Sequence, residues 1–288
     1  MTPPRVELHW LRVGRCRHPE WVTLRGGRWG LVDFPAHCAL IVHPTIGPIL
    51  YDTGYADHFE DETRPFPSRL YRWLTPVELP PEERLAVHLA RQGVRLEDVE
   101  RVLVSHLHAD HVAGLRDLPN ARVTALRDEV SGSLSRTGWG ALRRGFLPGL
   151  LPADFGARLD LADDRPVVDL GPRWAPFERG YDLLGDRSLI GIPLPGHSPA
   201  QLGLVVWRAD GQPVMIVADA CWSTRAWREN RLPSALARPI LHDWKRYRQT
   251  LAGLHRLGSG WPELHILPSH CGEAWAALQP AKPDARHA

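Results

Sequence analysis

The chain has 288 residues, 43% hydrophobic and 24% charged, which suits one globular domain and excludes disorder, collagen and coiled coil as descriptions of the whole. Thirty-five basic against 33 acidic residues leave a net charge of +2, and the basic residues are scattered, so nothing marks a nucleic-acid-coating protein. The N-terminus lacks the apolar run of a signal peptide, no stretch approaches the ~18–20 apolar residues of a membrane helix, and Cys16, Cys38, Cys221 and Cys271 form no C-x-x-C pair, so the expectation is a soluble cytoplasmic protein with reduced thiols.

In chain order, Val6 to Val13 alternates like a strand. Ala36–His43 and Ile49–Tyr51 read as a hairpin across the turn Pro44-Thr45-Ile46-Gly47-Pro48. Pro80-Pro81-Glu82-Glu83 opens a predicted helix, with Leu85, Leu89 and Val94 along it and Gly93 as its stop. Arg101–Ser105 is a short β-branched run, a predicted buried strand. Further strands are predicted at Arg122–Ala125, Ser188–Leu194, Leu202–Trp207, Pro213–Ala218 and Leu264–Leu267, and a helix at Asp243–Leu257 with Trp244, Tyr247, Leu251 and Leu254 on one stripe. The stretch Ser131–Phe155, with Trp139, Phe146 and Phe155, reads equally as core plus loop or as an apolar flap beside a site. Strands in both halves with helices between them fit two sheets covered by helices in one domain, residues 1–288, the last ~8 residues a loose tail.

Fifteen histidines are many for one chain, and their positions decide what they mean. Val104-Ser105-His106-Leu107-His108-Ala109-Asp110-His111 is an H-x-H-x-D-H segment directly after the buried strand. Imidazole nitrogens and carboxylate oxygens are the donors that zinc and neighbouring divalent metals accept. Residues two apart on an extended chain share a side, so His106 and His108 point together, with Asp110 and His111 a turn further on. A surface His-rich loop predicts nothing about distant residues. Yet His197 after Leu194-Pro195-Gly196, Asp219 after Val217-Ala218 and His270 after Leu267-Pro268-Ser269 each sit just beyond a strand-like run.

This order of segments, with Pro195-Gly196-His197-Ser198 and the early Asp52-Thr53-Gly54, resembles the metallo-β-lactamase superfamily over nearly the whole chain. The resemblance implies an α/β fold, an αββα sandwich of two mixed sheets with two divalent metal ions at one edge: zinc, with iron or manganese as alternatives. Carried over by position, His106, His108 and His197 would hold one ion, and Asp110, His111 and His270 the other. Asp219 would bridge them and Asp52 would orient a ligand histidine. His111 completes the D-H pair, so Cys221 is read as a non-ligand, and Cys16, Cys38 and Cys271 as core thiols.

Such a site implies hydrolysis, with a metal-bridging hydroxide attacking a carbonyl and Asp110 moving a proton to the leaving group. No G-x-S-x-G and no G-x-x-x-x-G-K is present to argue otherwise. Gly14-Arg15-Cys16, Pro35-Ala36-His37-Cys38 and the run from Gly47 to Gly54 resemble the N-acyl-homoserine lactone lactonase branch, which implies a lactone substrate. That branch carries Tyr three residues after the bridging Asp; here the position is Trp222, whose indole offers one N–H and no hydroxyl. Trp222 is therefore read as a substrate contact or as a packing aromatic. Other readings stay open: hydrolysis of another acyl ester or thioester, a di-iron redox enzyme, or a non-catalytic ligand sensor. The expected partner is a small acyl ester or lactone, with no nucleic acid and no membrane, in a monomer or homodimer. The arginines between Arg225 and Arg231 are a solvated face or a partner surface.

Overall fold

In the computed structural model, which describes residues 3–278, the N-terminal alternating run extends further than its periodicity predicts. Strand β1 is Glu7–Pro19, because a bulge between Arg12 and Arg15, with Gly14 at φ +82°, resets the register and the strand continues. It pairs antiparallel with β2 (Leu31–His43), which turns at Gly47 (φ +89°) into β3 (Gly47–Tyr51), the predicted hairpin. β4 (Arg101–Leu103), β5 (Arg122–Ala125) and β6 (Leu159–Leu161) follow in parallel, so the first sheet runs β1-β2-β3-β4-β5-β6.

The second sheet contains β7 (Val167–Asp169), β8 (Arg179–Asp182), β9 (Leu189–Pro193), β10 (Leu202–Trp207), β11 (Pro213–Ala218) and β12 (His265–Pro268). They lie in the order β12-β11-β10-β9-β8-β7, antiparallel except for the parallel pair β11/β12. Helices punctuate both halves: α1 (Glu20–Thr23), α2 (His58–Glu62), α3 (Arg69–Leu74), α4 (Leu85–Arg91), α5 (Ala109–Val112), α6 (Arg127–Leu134), α7 (Gly138–Leu142), α8 (Phe155–Arg158), α9 (Thr224–Arg228), α10 (Trp244–Gly260) and α11 (Gly272–Leu278).

The inner faces of the two sheets share one core, with Ile41, Ile49 and Leu103 against Leu189, Leu204 and Ile216. Leu85 and Leu89 of α4 join the core on the outer side of the first sheet. Leu251, Leu254 and Leu257 of α10 do so for the second. The layers are therefore α, β, β, α, as expected. Helix α10 is the longest of the described helices: Asp243 caps it, accepting from the Lys245 and Arg246 amides at 2.8 and 2.9 Å, and its predicted stripe is buried at Tyr247, Leu251 and Leu254.

One expectation is overturned and one is refined. The helix predicted from Pro80 is broken: Pro81–Glu83 is a 3₁₀ turn, and Arg84 is extended (ψ 142°) before α4 begins. Ser131–Phe155 comprises the end of α6, all of α7, a 3₁₀ turn at Pro148–Leu150 and the first residue of α8, joined by loops; Phe146, Leu150 and Phe155 are buried in the core, whereas Trp139 is 54% exposed. The core reading thus holds for Phe146, Leu150 and Phe155. The predicted loose tail falls outside the described residues. Among those residues no helix is long and apolar enough to cross a membrane.

Candidate metal centre

Every candidate ligand lies beyond the C-terminal end of a strand at one edge of the sandwich, where layered α/β folds assemble their sites. After β4 the chain passes Ser105 and His106. His108 then begins α5, which carries Asp110 and His111. The turn after β9 supplies His197, β11 leads into Asp219, and β12 into His270. Two non-glycine residues take the left-handed conformation here: Asp52 (φ 59°), just after β3, and Ala218 (φ 43°), just before Asp219. Such backbone costs about 1–3 kcal/mol and persists where its surroundings enforce it. At Ala218 the register of β11 against β12 also shifts, re-aiming Asp219 into the site.

The donors form two clusters. His197 Nε2 lies 3.1 Å from His106 Nε2 and 3.0 Å from His108 Nδ1. In the second cluster, Asp110 Oδ2 lies 3.7 Å from His111 Nε2 and 3.4 Å from His270 Nε2. Asp219 stands between: Oδ2 is 3.2 Å from His197 Nε2, while Oδ1 is 3.0 and 3.4 Å from the Nε2 atoms of His270 and His111. The structure thus brings together all seven residues singled out from the sequence as metal ligands.

The surrounding atoms fit divalent metals. His111 Nε2, His270 Nε2 and Asp219 Oδ1 are buried and make no hydrogen bond of acceptable geometry, close as they are. Orphaned polar atoms are costly unless something else satisfies them. The opposite ring nitrogens are engaged: His111 Nδ1 with Asp52 Oδ2 (2.7 Å), His106 Nδ1 with Ser105 Oγ (2.9 Å) and His270 Nδ1 with the Pro35 carbonyl (2.7 Å). This leaves each Nε2 free to ligate, the arrangement that orients metal-binding histidines.

Electrostatics divide the clusters. Burial, reinforced by neighbouring imidazoles, holds His106 well below the usual range; burial does the same for His197 and brings His108 down to about 4. These rings are neutral, the form that binds metal. Burial also disfavours charge on His111, but Asp110 and Asp52 outweigh it and hold its pKa well above the ordinary value. His270 is raised by Asp219 against the same burial. Burial would raise Asp219, but His270 and His197 hold it well below the carboxylate range.

Support comes from residues that sequence reasoning passed over. Ser105 donates its amide and hydroxyl to the two Asp52 oxygens, at 2.7 and 2.8 Å. Its place next to His106 was the available signal. Glu129, buried and with its pKa raised by that burial, accepts from the amides of Leu107 (2.9 Å) and Ala200 (3.4 Å), tying the first ligand loop to the His197 turn. Phe34 stacks on His270, ring centroids 3.9 Å apart. No local pattern announces either. Replacing Asp52 by Asn keeps the shape but removes the charge facing His111 and one of its acceptor oxygens. Metal affinity or turnover is expected to fall ~10–100-fold with the fold intact. Metal content after dialysis, beside circular dichroism, checks this, and unchanged retention and rate would remove Asp52 from the site.

The clusters open onto a cavity of about 580 Å³ that is mainly apolar, with Leu70, Leu74, Trp139, Leu142, Leu236 and Ile240 among its walls. Trp222 also lines it, but its indole Nε1 donates to Asp219 Oδ2 at 2.9 Å. Cys221, Cys38 and Cys271 are buried in the hydrophobic core. Cys16 is likewise buried in a core cluster, and it also forms part of the cavity wall, 3.4 Å from His18 Nε2. The arginines left open as a partner surface form ion pairs, Arg225 with Glu20 (2.9 Å), Arg228 with Glu273 (2.6 Å) and Arg231 with Glu229.

A profile of the metallo-beta-lactamase superfamily matches residues 31–258. The N-acyl homoserine lactonase AttM of Azorhizobium caulinodans is 26% identical over 286 residues, 96% of this chain and 97% of that protein. The N-acyl homoserine lactonase AiiB of Agrobacterium fabrum is 27% identical over 258 residues, covering 86% of this chain and 83% of its own. Among solved structures, an N-acyl homoserine lactone hydrolase with N-hexanoyl-L-homoserine at its catalytic metal center superposes with a TM-score of 0.69 at 20% identity, over 96% of this chain and 98% of that one. That structural likeness bears on the fold.

Proposed function

The chain belongs to the metallo-β-lactamase superfamily, and from that premise we propose that it is a dinuclear metallohydrolase that opens the ring of an N-acyl homoserine lactone. The observation that carries the reading is Asp219, whose two oxygens face two separate His/Asp clusters at the floor of an apolar cavity. The names of the sequence relatives support the substrate class.

His106, His108 and His197 would hold one ion, Asp110, His111 and His270 the other, and Asp219 both. A bound divalent pair supplies Lewis acidity toward the ester carbonyl and a water acidic enough to attack at neutral pH. The protein's own groups do the rest. Asp52 and Ser105 fix the ring orientations of His111 and His106. Trp222 holds one Asp219 oxygen in place. As the water oxygen bonds to the carbonyl carbon and the ring C–O bond breaks, Asp110, which lines the cavity, relays the water's proton to the leaving alkoxide. The product is a hydroxy acid, which ionises and releases one proton per turnover. The walls formed by Leu70, Leu74, Leu142 and Ile240 would receive the acyl chain.

We extend the proposal to zinc as the metal, since histidine and carboxylate donors suit it, and to a reducing cytoplasm, which four unpaired cysteines support. Elemental analysis of the purified protein is expected to give about two zinc ions per chain. A panel of lactones, thioesters and a phosphodiester, read by acid release, is expected to show lactones turned over best. If no lactone is opened, the substrate assignment fails.

A further inference from the structure

As water adds to an ester carbonyl, charge builds on the carbonyl oxygen, and donors fixed in the wall of the site stabilise it. Donors that line this cavity with Asp110 and Asp219 include Cys16, Tyr55, Tyr71, Arg143 and Trp222. The Trp222 N–H is already held by Asp219. The Cys16 thiol lies 3.4 Å from His18 Nε2 and 3.8 Å from the Phe34 carbonyl, so these groups satisfy one another. Tyr55 is 2% exposed, its ring packed on Phe59.

Tyr71 differs from Trp222, Cys16 and Tyr55. Helix α3 places it in the same cavity wall as Asp110, Asp219 and His270. Its ring is half-buried and meets Phe59 edge-on, centroids 5.6 Å apart, which restricts the ring plane. Its hydroxyl makes no hydrogen bond to any of the described residues. Burial first, then the Asp110 charge, keeps the phenol well above its ordinary pKa, so the O–H stays a donor.

We propose that the Tyr71 hydroxyl donates a hydrogen bond to the carbonyl oxygen of the bound ester and strengthens that bond as the oxygen becomes negative, making Tyr71 a further catalytic residue. The inference rests on the hydrolase reading above. It gives α3, which is remote in sequence from every metal ligand, a direct part in the reaction.

The test uses metal-loaded Tyr71→Phe, which keeps the ring and removes only the hydroxyl. On the ester that the wild-type protein turns over best, kcat/KM is expected to fall about 30–100-fold, chiefly in kcat. Affinity for the ring-opened acid, measured by calorimetry, is expected to fall about tenfold, because a hydrogen bond to a charged oxygen is lost. Metal content and melting temperature should match wild type. Phe59→Leu loosens the same stack without touching the hydroxyl and is expected to cost less than about threefold in rate. A Tyr71→Phe rate equal to wild type, a parallel loss of metal, or an equal loss in Phe59→Leu overturns the proposal. A wild-type protein that hydrolyses a different ester overturns the lactone reading alone, and Tyr71 is then read on that ester. Without any turnover, acid affinity alone decides the matter.

Discussion

Asp219→Asn is expected to lower turnover by ~10³-fold or more and to leave the protein with one metal ion or fewer per chain. Loss of a residue that only orients a ligand costs ~10–100-fold, and Asp219 does more: its two oxygens face His197 on one side, His111 and His270 on the other. Asparagine preserves the volume and can still accept from Trp222 Nε1, which sits 2.9 Å from Oδ2. What it removes is the negative charge that would hold two cations together. The fold is expected to survive, because the strand leading to Asp219 is held by its own pairing with β10 and β12. Elemental analysis, kinetics and circular dichroism on one preparation check the expectation together. Two retained ions with activity within tenfold of wild type would show that Asp219 does not bridge.

Gly196→Ala is expected to damage both stability and site, through backbone rather than ligand chemistry. Gly196 has φ +130°, and a Cβ there would fall 2.2 Å from the Tyr247 nitrogen and 2.4 Å from its Cα. These are main-chain atoms of α10, so no side-chain rotation relieves the overlap. The turn is also clamped to that helix's start: the Asp243 amide donates to the Gly196 carbonyl and the His242 amide to the His197 carbonyl, both at 2.9 Å. Strain and overpacking together amount to about 3 kcal/mol or more, a fall in Tm of roughly 5–10 °C for a protein of this size. His197 moves with the turn, so the cluster with His106 and His108 is expected to lose its ion first. Calorimetry and metal content measure the two effects. A melting temperature and metal load like wild type would mean that the turn can relax away from α10.

The candidate metal ligands were legible in the sequence because the chemistry uses few residue types in tight spacing. His106, His108, Asp110 and His111 occupy a single strand-to-helix passage, and each remaining donor follows an apolar run that became β9, β11 or β12. The two-sheet architecture followed from the same runs. Three short elements escaped: β6 and β7 have three residues each and β8 four, and each carries an Asp, so none forms an apolar or β-branched run of the kind that marked the equally short β4, β5 and β12. The Pro80 helix was misread because local composition favoured a continuous helix, whereas Arg84 is extended before α4 starts. The cavity was illegible for a different reason. Its walls combine Tyr71, Trp139 and Ile240 from three distant segments, and no local spacing encodes their meeting. Trp222 lay between these cases. Its single donor was evident from its chemistry, but only the fold directs that donor to Asp219.

The distribution of donors between the sheets also fixes when the site comes into being as the chain folds. His106, His108, Asp110 and His111 follow a strand of the first sheet; His197, Asp219 and His270 follow strands of the second. Neither group alone completes a cluster. The final donor arrives only when β12, late in synthesis, docks beside β11. Such non-local pairings form slowly and late. Metal capture by these donors would therefore be conditional on a finished topology, and its binding energy would act as a latch on the closed sandwich, withheld from chains with one sheet undocked.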